Sequence, residues 1–478
     1  MTSDDEPRND PTPPSNKGPL EKALGLFADV RRGEAATALL LTLNVFLLLS
    51  CYYLLKTARE PLILKEEVTL SFLGHVIKIG GAEIKSYSSA GQAAILIPGT
   101  YVYGRIAQRV GRMKLIAFVT LFFTGCIALF FVGGKAHFPH IGIYFFLWVG
   151  IFNMMIIAQF WSFAADIYPP DQGKRLFAIL GIGSTVGAVA GSAVAREVYK
   201  PLGPFGLMAA AAGILIASLL VTSIVNTREA GAQGKSQTKK EEPLGKEGGW
   251  QMLVKDKYLM LIGGLMFVLN WVNSSGEYIL DRTLLQTAQE RVPAGLDPQA
   301  AAKWADTFIG EFKADYFLYV NVISVGMQLF VVSRVIKYLG VRFALLLVPC
   351  ISFTGYSTMI FYPALTIIFI VKIAENSLDY SLQNTSRQAL WLVTSRDAKY
   401  KAKSVIDTFL VRAGDFFSAL VTLVGAWKNF TTGTFISINA ALVLCWIALV
   451  WFLTQKYKER SAEVAAKTGV APELKLAS

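Results

Sequence analysis

The chain has 478 residues, of which 53% are hydrophobic and only 17% charged, and its mean hydropathy is +0.45. Soluble domains carry about 25% charged residues, so a cytosolic enzyme, a secreted module and a nucleic-acid-binding protein are poor interpretations. The net charge of +12 lies mostly in short segments between apolar blocks. That placement indicates membrane topology rather than a nucleic-acid-binding surface, and no nucleic-acid partner is expected.

Apolar blocks of about twenty residues follow one another along the chain, and each is long enough to cross the hydrocarbon core as a helix. They lie near 36–58, 88–105, 113–133, 141–168, 174–196, 204–225, 258–279, 315–336, 341–361, 363–395, 404–427 and 433–455. The polar stretch between the sixth and seventh blocks is rich in Gly, Lys and Glu, which is typical of a solvated linker. The sequence therefore predicts an all-α polytopic membrane protein with about twelve transmembrane helices in two six-helix bundles. The predicted parts are a tail at 1–35, bundles at 36–225 and 258–455, a linker at 226–257 and a tail at 456–478.

Lysine and arginine residues concentrate in the loops after even-numbered predicted helices, in the linker and in the C-terminal tail. The positive-inside rule then predicts that both termini and the linker are cytoplasmic. The segment at 280–312 is predicted to be the largest external loop, with a short surface helix. The cysteines have no paired spacing and the histidines no metal-binding arrangement, so neither a metal nor a cofactor is expected.

A short basic motif recurs after the second and eighth predicted helices, at 104–114 and 333–342. Each copy has a small residue at the helix end, a glycine seven positions on, and cations around it. The repeat favours two related halves, although short basic turns recur in many polytopic proteins. The first copy resembles the cytoplasmic loop motif of the major facilitator superfamily, which is built from six-helix repeats. Four glycines in the fifth predicted helix indicate close packing with a neighbouring helix: Gly181, Gly183, Gly187 and Gly191.

Charged side chains at the end of the first predicted helix are candidate binding groups, because a charge at the bilayer centre costs about 3 kcal/mol on insertion scales. Tyr52, Lys56 and Glu60 are four residues apart and share one helix face. Tyr53 and Arg59 adjoin them. The alternative is that these cations extend along the helix into the lipid headgroups.

Polar residues also mark the second half of the chain. The tenth predicted helix carries one polar stripe, and the eleventh carries three further charges: Lys372, Glu375, Asp379, Gln383 and Arg387, then Asp407, Arg412 and Asp415. This stripe either lines a cavity or forms an ion-pair network that joins the two helices. Polar residues at 270–277, among them Asn273 and Glu277, predict that the seventh helix is discontinuous and lines a site. Cations from both halves that face one cavity imply an anionic substrate, whose flat ring the nearby aromatic side chains could stack.

Several segments together resemble the bacterial and plastid-type ATP/ADP translocase family of nucleotide transporters. They are 53–60, 81–84, 160–164 with 174–177, and 379–382 with 399–407. The resemblance implies exchange of ATP for ADP by alternating access in a bacterial inner membrane. It also implies that Lys56, Arg59 and Arg387 meet the phosphates. The chain departs from the family at Asn273 and Gln388, where the family has acids, and between 147 and 157, where no acid occurs.

The sequence thus predicts a multi-pass transporter that binds nucleotides such as ATP and ADP and is not an enzyme. The expected substrate-binding residues are Lys56, Arg59, Arg387, Tyr52, Tyr53, Asn273 and Tyr380. Residues expected to orient these cations or couple transport to an ion are Glu60, Glu277, Lys372, Glu375, Asp379, Asp407, Arg412 and Asp415. Two alternatives stay open: a proton-coupled transporter of another organic anion, with the proton on Glu277, Glu375 or Asp379, and a membrane receptor that transports nothing.

Overall fold

A computed structural model of the protein describes residues 34–72, 75–107, 110–168, 170–230, 248–395 and 397–468. Residues 1–33 of the predicted N-terminal tail, 231–247 of the predicted linker and 469–478 of the predicted C-terminal tail therefore lie outside the described residues. Almost all of the described chain is helical, so the predicted all-α polytopic fold is confirmed. Eight described helices are long and apolar enough to span a membrane, and two of them are long enough to cross it twice.

The first half contains six helical segments within the described residues. They are α1 (Ala35–Leu64), α2 (Gly81–Ala107), α3 (Arg112–Lys135), α4 (Ile141–Ile167) and a continuous stretch Pro170–Ala230 that Gly203 divides into α5 (170–202) and α6 (204–230). Gly203 has a φ of 61°, in the left-handed region that glycine adopts without steric cost. The chain therefore reverses at Gly203 with almost no loop.

The second half repeats this pattern within the described residues. A two-turn helix, Gly249–Lys255, precedes α7 (Lys257–Glu290). The next stretch, Pro298–Met327, Gln328–Val332 and Ser333–Phe361, is divided by Gly340 into α8 (298–339) and α9 (341–361). Then follow α10 (Leu365–Leu378, π-helical Asp379–Gln383, Asn384–Leu390), α11 (Ala398–Ala402, Lys403–Val405, Ile406–Leu410, Val411–Trp427) and α12 (Thr432–Thr468).

A β-hairpin joins α1 to α2: Val68–Phe72 (β1) pairs antiparallel with His75–Ile79 (β2), and Val68 lies opposite Ile79. We call this end of the molecule the hairpin end. The long external loop predicted at 280–312 is wrong, because α7 continues to Glu290 and α8 begins at Pro298. Asp281 and Thr283 of this segment are buried, whereas most of its polar residues between 286 and 303 are exposed at the end of α7, in the short connection and at the start of α8.

The predicted discontinuity in the seventh helix is also wrong, since α7 is unbroken over 270–277. Its polar side chains find partners on α11 instead. The Asn270 amide donates to the Val411 carbonyl at 2.6 Å and to Asp415 at 2.8 Å, and Ser274 also donates to Asp415 at 2.6 Å. Because these side chains are satisfied across the helix pair, the backbone can stay helical at membrane depth.

Two clusters of buried apolar side chains hold the molecule together. One draws entirely on residues between 35 and 225, and the other mostly on residues between 253 and 457. This is the pattern of two bundles, each with its own core. The exact domain boundaries stay a prediction.

Three glycines of α5 pack directly against the backbone of α1, as small-residue packing predicts. A Cβ added at Gly183, Gly187 or Gly191 would lie 2.7, 2.5 or 2.7 Å from a carbonyl oxygen of α1. Gly181, by contrast, faces open space. These glycines therefore set the distance between α1 and α5.

Replacement of Gly187 by alanine is expected to destabilise the protein by about 1–3 kcal/mol, because the new methyl group forces α1 and α5 apart. The matched control is Gly181→Ala, where a Cβ meets nothing within 4 Å. That change should be neutral or slightly stabilising, since alanine favours helix. Thermal unfolding of the two purified variants checks this, and equal melting temperatures would contradict it.

Candidate functional site

A cavity of about 180 Å³ lies between the two halves, near the middle of the helices. A buried water needs about 10–15 Å³ measured in this way, so the cavity has room for a small metabolite. Eight residues singled out in the sequence line it: Tyr53, Lys56, Arg59, Glu60, Asn273, Glu277, Tyr380 and Asp415. The first four come from α1 and the others from α7, α10 and α11.

Lys56 is held by aromatic rings rather than by an acid. Its ammonium group lies 4.3 Å from the ring centre of Phe317, 5.1 Å from that of Tyr53 and 5.9 Å from that of Tyr52. Among the described residues, no carboxylate oxygen lies within 4.0 Å of its Nζ. We call the three rings the aromatic cage. The cage favours a cation electrostatically but supplies no carboxylate to form an ion pair with it.

Arg59 lies three residues further along the same face of α1. Its Nε donates to Glu60 at 3.2 Å, and its guanidinium stacks 4.5 Å above the Phe146 ring of α4. Lys56 and Arg59 therefore bring two cations to one wall of the cavity.

Four buried charges close the cavity towards the hairpin end, and we call them the charge quartet: Glu60, Lys85, Asp281 and Lys313. Lys85 lies 2.5 Å from Glu60 and 2.7 Å from Asp281. Lys313, fully buried, forms an ion pair with Asp281 and lies 3.5 Å from Glu60. Each charge of the quartet thus has at least two partners of opposite sign, since Glu60 also pairs with Arg59 and Lys313 also lies 3.9 Å from Glu277.

A second network lies behind the α7–α10 wall. Lys372 is fully buried, pairs with Glu375 at 2.7 Å and donates to Asn273 at 3.2 Å. Glu277 accepts hydrogen bonds from Tyr316 at 2.7 Å and from Asn376 at 2.9 Å. Glu375 is thus buried and paired within the protein, whereas Glu277, which also lines the cavity, is one-quarter exposed.

The remaining predicted site residues lie outside the cavity lining. Arg387 pairs with Asp379 at 3.5 Å, and Arg412 pairs with Asp415 at 3.1 Å. Asp407 is exposed. Of the three predicted phosphate-binding cations, the structure therefore brings together Lys56 and Arg59 and places Arg387 apart from them.

Sequence reasoning missed Lys85, Asp281 and Lys313, since all three fall outside the apolar blocks of the predicted helices. A signal was nevertheless present. Each half of the chain has an acid just after its first predicted helix and a lysine just before its second, which a comparison of the two halves would have paired.

The cavity, the two networks and the partner of Asp415 contain six cations and five carboxylates: Lys56, Arg59, Lys85, Lys313, Lys372 and Arg412, with Glu60, Glu277, Asp281, Glu375 and Asp415. The cations of this region therefore outnumber the carboxylates by one. The site is therefore suited to bind an anion that carries an aromatic or other flat group.

Comparison with known proteins identifies the family to which this architecture belongs. The sequence profile of the Major Facilitator Superfamily matches residues 35–390. The protein named ADP,ATP carrier protein 1 of Chlamydia pneumoniae is 22% identical over 309 residues. That alignment covers 56% of this chain and 57% of the carrier, so it extends over only about half of the relative's length.

Solved structures of transporters share the fold. PepTSo, a transporter of the POT family, superposes with a TM-score of 0.59 at 10% identity, covering 89% of this chain and 98% of its own. The nucleoside transporter NupG superposes with a TM-score of 0.58 at 13% identity, covering 88% and 99%. At such low identity, the similarity concerns the fold alone.

Proposed function

This chain belongs to the Major Facilitator Superfamily and is a membrane transporter of that type, and we propose that its cargo is a nucleotide such as ATP or ADP, exchanged by alternating access. The observation that carries the proposal is the pair Lys56 and Arg59 in the central cavity. Lys56 has no acidic partner among the described residues, so a phosphate group is the counter-charge that this wall lacks. The name of the chlamydial relative supports the same cargo.

The aromatic residues around this pair fit the rest of a nucleotide. Tyr53, Phe317 and Tyr380 line the cavity within reach of the two cations. Aromatic faces stack flat bases, and cations bind phosphate oxygens through charge-assisted hydrogen bonds. The aromatic rings and the two cations of the cavity would therefore hold the base and the phosphates of one molecule.

Labelled ATP uptake into proteoliposomes tests this function. Vesicles preloaded with ADP should take up ATP much faster than vesicles that contain only buffer. Vesicles preloaded with inorganic phosphate are the matched control for a general anion exchanger. Uptake that internal nucleotide does not stimulate would reject exchange, and uptake that excess unlabelled nucleotide does not reduce would reject the cargo.

Exchange of ATP for ADP is expected to depend on the membrane potential, because one net charge crosses per cycle. A potential of 100 mV then contributes about 2.3 kcal/mol, or roughly a 50-fold shift in the ATP accumulation ratio. ADP exchanged for labelled ADP moves no net charge and serves as the control. Equal sensitivity of both exchanges to an imposed potassium-diffusion potential would contradict the prediction.

Proton-coupled transport of another organic anion is a second candidate, favoured by the buried acids next to the cavity. Glu277 lines the cavity, and its side chain is one-quarter exposed. Such a carboxylate could take up a proton during transport. A pH gradient would then drive uptake without internal nucleotide, whereas nucleotide exchange runs without a gradient.

A further inference from the structure

The reversal between α8 and α9 carries three cations without an acidic partner, and we call it the basic turn: Arg334, Lys337 and Arg342. Arg334 and Lys337 lie one helical turn apart near the end of α8, and Arg342 lies two residues beyond Gly340. Within the described ranges, no carboxylate oxygen lies within 4.0 Å of any of these three side chains. Three positive charges therefore gather in one short segment and lack a counter-charge from the described chain.

Aromatic rings flank two of these cations. The Arg342 guanidinium lies 4.7 Å from the ring centre of Trp451 on α12, and the Lys337 ammonium group lies 5.4 Å from that of Tyr338. Both rings are widely exposed, Trp451 to 49% and Tyr338 to 69%. Tryptophan and tyrosine concentrate at the depth where lipid headgroups meet the hydrocarbon. The rings therefore indicate that the basic turn lies at the level of the headgroups.

The length of α8 agrees with this depth. At a rise of 1.5 Å per residue, residues 298–339 span about 60 Å, whereas the hydrocarbon core is about 30 Å thick. Asp306, near the start of α8, pairs with Lys65 beside the hairpin at 3.6 Å, so the basic turn lies at the opposite end of the helix. The charged end of α8 therefore reaches the membrane surface that faces away from the hairpin end.

Exposed apolar surface adjoins the cations. Leu329 and Phe330 are 60% and 63% exposed, and the Arg334 guanidinium donates to the Phe330 carbonyl one turn before it. Phe330, Arg334 and Tyr338 are four residues apart, so they share one face of α8. Along this face an apolar side chain precedes a cation at the membrane surface. That order matches the acyl chain and the phosphate of a phospholipid.

The corresponding turn of the first bundle uses its cation differently. In the first copy of the basic motif, Arg112 donates to Asn226 at 3.1 Å and lies 3.9 Å from Asp166. Its guanidinium also lies 5.3 Å from the ring centre of Phe163. These partners belong to α4 and α6, so Arg112 joins helices of its own bundle. The cations of the basic turn have no such acid in the described chain, which leaves them available to an anion outside the protein.

We propose that the basic turn binds an anionic phospholipid, whose phosphate contacts Arg334, Lys337 and Arg342 and whose acyl chain lies along Phe330. Phosphate oxygens accept charge-assisted hydrogen bonds from lysine and arginine. A zwitterionic lipid brings its own cation into this patch, so the site selects an anionic headgroup over a choline headgroup. The lipid binds on the outer surface of the second bundle, and the site does not depend on which cargo the transporter carries.

Native mass spectrometry of the purified protein in detergent measures this selectivity, with phosphatidylglycerol and phosphatidylcholine as the probes. The parent should bind phosphatidylglycerol more tightly. The triple variant Arg334→Gln, Lys337→Gln and Arg342→Gln should weaken phosphatidylglycerol binding roughly 100-fold, because each basic residue near an anionic membrane surface contributes about a factor of five. Its binding of phosphatidylcholine should stay within about twofold of the parent.

A second triple variant serves as the matched control for net charge. Lys78→Gln, Lys135→Gln and Lys428→Gln remove three exposed cations at the hairpin end. This protein has the same net charge as the first triple variant and should keep the phosphatidylglycerol affinity of the parent. Melting temperatures confirm that both variants are folded. If the first one folds poorly, the double variant Arg334→Gln with Lys337→Gln repeats the test, with an expected loss of roughly 25-fold.

Glycerol 3-phosphate distinguishes a lipid site from a site for soluble phosphates, because it carries the phosphate of the headgroup without acyl chains. At the same concentration as phosphatidylglycerol, it should leave the bound lipid in place, since it makes no contact with Phe330. Displacement of the lipid by glycerol 3-phosphate would assign the basic turn to a soluble ligand and overturn the proposal. A folded triple variant at the basic turn with parent-like lipid affinity would also overturn it, as would an equal loss in the control variant.

Discussion

Replacement of Lys56 by methionine is expected to reduce exchange of labelled ATP at least about 30-fold, because truncating a buried partner of a charged ligand typically costs 2 kcal/mol or more. Methionine keeps the apolar stem that packs inside the aromatic cage. Lys56 has no acidic partner among the described residues, so its removal leaves no stranded charge in the protein. We therefore expect the melting temperature to stay within a few degrees of the parent or to rise.

This combination of lost transport and retained stability separates a binding role from a structural one. Uptake into ADP-loaded proteoliposomes gives the first quantity and thermal unfolding of the purified protein the second. Lys78→Met is the control, since Lys78 is 75% exposed on the hairpin and lies outside the cavity. Parent-like uptake by the Lys56→Met protein would exclude Lys56 from the cargo site, whatever the cargo is.

The sequence predicts the helices well because lipid allows so few alternatives. Every backbone polar group at membrane depth must be paired internally, so a block of about twenty apolar residues has to be helical. Lys56 and Arg59 could be found for a related reason, since a charge inside an apolar block stands out. The glycine spacing that pairs α5 with α1 is equally local, because it depends on residues four apart on one face.

Residues that act between bundles could not be found in this way. Lys85, Asp281 and Lys313 lie beyond the ends of the apolar blocks, where a charge is ordinary in a surface loop. Only their burial against the other bundle makes them unusual, and that follows from how α1, α2, α7 and α8 converge.

The tenth helix shows a limit of residue spacing itself. Its polar residues form one stripe if the helix is regular, but Asp379–Gln383 is π-helical. An inserted residue in a helix rotates everything after it by about 100°. Lys372 and Glu375 lie before this turn and are buried in the second bundle, whereas Arg387 lies after it. Spacing therefore cannot decide whether such charges share a cavity or only pair with one another.

The pair of Lys372 and Glu375 is expected to act chiefly in stability. Lys372→Met leaves the Glu375 carboxylate buried without its cation, a change that typically costs 3–5 kcal/mol. The double variant Lys372→Met with Glu375→Gln removes both charges and should recover stability to within about 1–2 kcal/mol of the parent, since uncharged replacements of a buried pair are often neutral. Thermal unfolding of the parent, the single and the double variant measures both steps.

A surface pair provides the matched control for this cycle. Lys456 and Glu459 lie 2.6 Å apart near the end of α12, and both are about half exposed. Lys456→Met should cost less than about 1 kcal/mol, because solvent screens an exposed pair. If the double variant at Lys372 and Glu375 recovers its melting temperature but still fails to exchange nucleotide, the pair acts in transport as well. If the single change at Lys372 costs no more than the change at Lys456, the buried network behind the cavity does not stabilise the second bundle.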